Sequence, residues 1–161
     1  MKIKAIFVFV VLAAAALAAG ALASQEARKP DFSGTWVFNT AKSTMQIPAP
    51  DSGVFSIDHK EPVFKLSRTL VKGGKSDAWG IDLTTDGREV VQKGETETTS
   101  GRLTWEGNEL VFDSTIALKD RKASNIVRYS LSADGSVLTA VEKFRGPVVK
   151  YDNIWVFDRK K

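Results

Sequence analysis

Arg68 sits in the run Phe64-Lys65-Leu66-Ser67-Arg68-Thr69-Leu70. Alternate side chains of an extended strand point to one face, so its guanidinium shares a face with Phe64, Leu66 and Leu70. An arginine among apolar side chains needs a carboxylate partner or the anion of a ligand, and an acidic lipid head group is the chemistry that would suit it. A β-bulge, or a place at a strand end, would instead turn it out to solvent. Tyr129 and Tyr151 could offer hydroxyls to the same head group, although a buried tyrosine commonly bonds a backbone carbonyl.

Catalysis has little to work with. His59 is the sole histidine; between Asp58 and Lys60 it reads as a solvent-exposed turn residue, and a general-base role would need a nucleophile from elsewhere. The sequence has no Gly-x-Ser-x-Gly elbow, and with no cysteine and no second histidine a transition-metal site cannot be completed. Asp82, Asp86 and Glu89, with Glu95 and Glu97 beyond them, lack the ordered oxygen-ligand alternation of calcium loops and read as solvated charges. Lys119-Asp120-Arg121-Lys122 and Arg159-Lys160-Lys161 read as solubility features with weak attraction to anionic surfaces. No enzyme, metal or cofactor is expected.

The elements that must position these residues are strands. Asp31-Phe32-Ser33-Gly34-Thr35-Trp36-Val37-Phe38 opens the fold with a glycine followed by alternating large apolar residues. Residues 40–53, with Pro48, Pro50 and Gly53, are a long connection containing at most a short helical turn around 41–45. Short β-type runs follow at 54–59, 63–71, 77–83, 88–92, 98–106, 109–118, 125–132, 136–144 and 148–158, separated by turn residues. Asp86-Gly87 reads as a tight primed hairpin turn between the runs at 77–83 and 88–92. No stretch after the leader has the apolar period of a major helix. The expectation is all-β: one antiparallel up-and-down barrel of about ten strands, closed so as to remove its edges. Its apolar faces place Phe64, Leu66, Trp79, Trp105, Phe112, Tyr129 and Tyr151 inward with Arg68. They make either a filled core or the wall of a pocket for one ligand.

Residues 1–23 read as a signal peptide: Met1-Lys2-Ile3-Lys4 is a positive start, 5–19 is unbroken apolar sequence, and Ala21-Leu22-Ala23 before Ser24 has the small-x-small cleavage pattern. The rival is an uncleaved membrane anchor. Residues 24–30 read as a flexible arm and 31–161 as the barrel domain. Without the leader, 21 basic residues face 19 acidic ones, a net charge of +2, too balanced for a nucleic-acid binder. These features imply an exported, periplasmic or secreted monomer, held by its core, with no stable membrane insertion after cleavage.

Gly34-Thr35-Trp36, together with Trp155-Val156-Phe157-Asp158-Arg159 in the last strand, resembles the calycin group of lipocalins and fatty-acid-binding proteins. The resemblance implies that Trp36 packs at the closed end of the barrel beneath Arg159, cation over indole, as a barrel-closing pair. Asp86-Gly87-Arg88 and Leu103-Thr104-Trp105-Glu106-Gly107 resemble fatty-acid-binding proteins in order and spacing. The run from Phe32 to Trp36 through Tyr129 to Gly135 is similar to a set of exported bacterial proteins of unassigned function. The helical lid of fatty-acid-binding proteins has no counterpart in residues 40–53, which implies a wider mouth. What the resemblance implies of function is non-catalytic binding of a small hydrophobic or amphipathic molecule. The alternative is a solid-barrel module that binds a protein or glycan on its outer surface.

Overall fold

A computed structural model describes residues 28–161; the leader at 1–23 and the arm up to residue 27 lie outside the described residues. Ten strands follow one another: β1 (Gly34–Phe38), β2 (Ser52–Lys60), β3 (Val63–Lys72), β4 (Lys75–Thr84), β5 (Val90–Lys93), β6 (Thr98–Glu106), β7 (Glu109–Leu118), β8 (Arg121–Leu131), β9 (Val137–Arg145) and β10 (Lys150–Arg159). All pairings are antiparallel, in the order β4-β3-β2-β1-β10-β9-β8-β7-β6-β5. This is the up-and-down barrel that the turn spacing predicts, with β1 against β10 bringing the ends of the sheet round. Between β1 and β2 a single 3-10 turn, Thr40–Lys42, stands where a helical lid would sit.

The barrel is nearly closed. β4 and β5 are its two edges, and the Asp86-Gly87 hairpin expected between them is not formed. Gly87, at φ +77°, instead turns the chain towards β6: its N–H donates to the Leu103 carbonyl at 3.0 Å, and Asp86 bridges Thr104. The Asp-Gly pair supplied the turn conformation, but the next strand took its register from β6, pairing Val90 with Gly101. Only four residues long, β5 is a blunt edge.

Strand β2 alternates exposed and buried residues throughout, with Phe55, Ile57 and His59 all inward. His59 is therefore not the exposed turn residue expected from its charged neighbours. The strand runs on to Lys60, so the imidazole keeps the inward phase, and its side chain is 3% exposed. Its Nδ1 accepts the Phe32 N–H at 3.2 Å, so the ring proton sits on Nε2 and donates to Glu61 Oε1 at 3.0 Å. Glu61 also accepts from Trp105 Nε1 at 2.8 Å and from the Thr85 hydroxyl at 2.5 Å.

At this end Phe32, Trp36, Phe64, Leu103, Leu138 and Phe157 are wholly buried. Arg159 lies over Trp36, its guanidinium carbon 4.1 Å from the ring centre. Arg159 donates to the carbonyls of Ser33 at 2.5 Å and Gly135 at 2.8 Å, while the indole N–H of Trp36 donates to the Phe32 carbonyl. Gly34 has φ +139°, and a Cβ there would fall 2.6 Å from an Arg159 nitrogen, so this arrangement admits only glycine.

Trp36→Ala is expected to cost ~3–5 kcal/mol, read by urea denaturation; a near-neutral value would show that the indole is not the plug. An acid limb is also expected. Burial raises the Glu61 carboxyl, but hydrogen bonds from Thr85, His59 and Trp105 outweigh it and hold the group below its ordinary 4.5. Its contribution is thus full above pH 4.5 and is lost as pH falls through the lower folded value. Denaturation midpoints measured between neutrality and acid should fall less steeply in Glu61→Gln than in the parent.

Candidate functional site

The closed end is dense because its inward positions carry rings and leucines. Towards the opposite end the inward positions shrink. Gly101 faces Ser114 across β6 and β7, and Ala140 lies between Tyr129 and Trp155 across β8, β9 and β10. A Cβ at Gly101 would meet the Phe112 ring at 2.7 Å, so that ring occupies the space the glycine leaves. The side chains do not meet across the axis, and an open cavity of about 300 Å³ remains.

One wall is apolar: Phe55, Leu66, Phe112 and Val127, with Ile47 of the β1–β2 connection and Trp79 nearer the rim. The other is polar and centres on Glu142 of β9. Its Oε1 accepts from Asn125 Nδ2 at 3.2 Å, and its Oε2 accepts from Asn153 Nδ2 at 3.0 Å and Trp155 Nε1 at 2.8 Å. Asn153, 1% exposed, uses its own oxygen to take the Gln46 N–H at 2.9 Å, which ties the connection to the wall. Asn125 Oδ1 is buried with no partner among the described residues.

Tyr129 and Tyr151 line the same cavity. Burial above all, and then the Glu142 charge, pushes both phenols up, Tyr151 to about 12, with Arg68 pulling the other way. Both are neutral hydroxyls at ordinary pH, able to donate or accept. The carbonyl bond common for buried tyrosines is made by neither among the described residues.

Arg68 lines the cavity near its rim. Its Nη1 lies 3.0 Å from Asp77 Oδ2 on β4, and the guanidinium carbon is 5.7 Å from the Trp79 ring centre. Of the two partners open to it from the sequence, the structure provides the carboxylate.

Leu66, Arg68, Trp79, Phe112, Tyr129 and Tyr151 thus come together around one volume. Phe64 and Trp105 do not join them. Phe64, wholly buried, packs edge-on against Phe32 and His59, and Trp105 binds Glu61 beneath Lys29, the last of the arm residues before Pro30. Both face inward, but below the cavity floor. Glu142 escaped the sequence reading, although Leu138-x-Ala140-x-Glu142 carries the alternation that places it inside.

No protein-family model matches the sequence, and no curated protein matches it. Solved structures do match the fold. A secretory abundant heat soluble protein from Ramazzottius varieornatus aligns with a TM-score of 0.56 at 11% identity, covering 78% of this chain and 93% of that one. The zebrafish ileal bile acid-binding protein complexed with cholic acid aligns at 0.52 and 15% identity, covering 80% and 98%. Human cRBP IV aligns at 0.52 and 12%, covering 81% and 99%. At such identities the likeness is one of architecture, a nearly closed antiparallel up-and-down barrel of ten strands.

Proposed function

We propose that this protein is an exported, monomeric, non-catalytic binder or carrier of a small hydrophobic or amphipathic molecule. The observation that carries the reading is the cavity of about 300 Å³ in a barrel whose other half is packed solid. That volume lies at the lower end of small-molecule pockets, which run ~300–1,000 Å³ and are mostly apolar with a few placed polar groups. Leu66, Phe112 and Trp79 would cover the apolar part of the ligand, and the tyrosine hydroxyls and charged side chains would orient the rest. The fold likeness to a bile acid-binding protein complexed with cholic acid supports the same reading. So does the placement of the one histidine, which is committed to the closed end and does not line the cavity. Export rests on the leader pattern at residues 1–23, and a periplasmic or secreted location follows from it. The solid-barrel alternative is weakened by the open volume.

Native mass spectrometry of the protein purified from its own envelope fraction should show a co-purifying species of lipid-like mass. Ala140→Phe, which would project a ring into the cavity, should keep the β-sheet circular dichroism and lose that species. A clean apo mass that persists after incubation with lipid extract would overturn the reading. Retention of the species by the filled variant would move it elsewhere on the molecule.

A further inference from the structure

We propose, resting on the carrier reading, that the polar end of the ligand is a cation, an ammonium or similar protonated nitrogen, with Glu142 as its counter-ion. The Glu142 carboxylate faces the cavity, held by two amides and an indole N–H. These donors fix its direction but bring no positive charge, and among the described residues no Lys, Arg or His nitrogen forms an ion pair with it. The carboxylate is part-buried without a counter-charge, and a ligand cation would supply one in the place where the wall already points.

The remaining charges agree. Among the described residues Arg68 is the one cation of the wall, and it already pairs with Asp77. Glu97 adds a second carboxylate at the rim. An acidic head group would share Arg68 with Asp77 and lie in a cavity that also holds Glu142. An ammonium would meet carboxylates there, and Tyr129, Tyr151 and Trp155, which line the same cavity, are ring types that attract cations. Both phenols line the same cavity as Glu142, whose charge raises them while Arg68 lowers them.

The test uses three probes that share one tail: decylammonium, decanol and decanoate, titrated at neutral pH and read by the change in intrinsic tryptophan fluorescence, two of the four tryptophans, Trp79 and Trp155, lining the cavity. Decylammonium should bind at least about tenfold more tightly than decanoate, which is ~1.4 kcal/mol. Glu142→Gln keeps an oxygen for Asn153 and Trp155, and it should collapse the ratio of amine to alcohol affinity to near one. Arg68→Leu removes the like charge and should raise the ratio of amine to acid affinity. Decanoate binding as tightly as the amine, a Glu142→Gln ratio equal to that of the parent, or a fall in amine affinity in Arg68→Leu would each overturn the proposal. If the alcohol and acid bind and the amine has no advantage, the carrier reading stands and this inference alone falls. If none of the three binds, both fall.

Discussion

Arg159 stretched over the indole of Trp36 is the contact that lets ten strands behave as one vessel. β1 is short, and its ladder with β10 pairs only Trp36, Val37 and Phe38 with Arg159, Asp158 and Phe157. Backbone bonds from Asn39 and Thr44 to β10 and from Lys160 to Thr35 extend that short ladder. The guanidinium adds charge-assisted hydrogen bonds to Ser33 and Gly135, joining the segment before β1 to the β8–β9 turn across the bottom of the barrel. Gly34 is the concession that makes room for it.

With the bottom sealed by rings, the upper half is free to carry small and polar residues inside. Gly101, Ser114 and Ala140 would weaken a barrel that relied on them for its core; here the core lies below, around Phe32, Phe64 and Phe157. The polar groups at that level are not loose. Glu142, Asn125, Asn153 and Trp155 hold one another across three adjacent strands, β8, β9 and β10, and Gln46 extends the network into the connection. The packed core and the open cavity thus occupy different heights of one barrel.

Much of this was legible in the sequence, because strand alternation and turn residues are local signals. Every strand expected is present, and β3, β6 and β7 begin at the residues where the pattern starts. What failed was non-local. Asp86-Gly87 encodes a backbone turn but not which neighbour the next strand will choose, and it chose β6. Alternation also gives a face and not a depth along the axis, so it cannot separate Phe64 and Trp105, which lie below the floor, from Phe112, which lines the cavity. The charge of Arg68 is answered diagonally by Asp77, whose pairing with Leu70 is set by a register no sequence run displays. His59 was obscured by Asp58 and Lys60, yet the phase of Phe55 and Ile57 already assigned it inside.

The seam between β1 and β10 also imposes an order of events on folding. Hairpins from β2 to β4 and from β6 to β10 close short loops between neighbours, whereas the Arg159 bond to Ser33 joins residues 126 apart. Contacts so distant in sequence bear the largest loop-closure entropy and reward it only at the end. One edge of the first strand, the other being paired with β2, therefore stays open until the last has been made, and the cavity is completed only when these two strands meet. A chain halted short of its final strand would keep most of its hairpins and contain nothing.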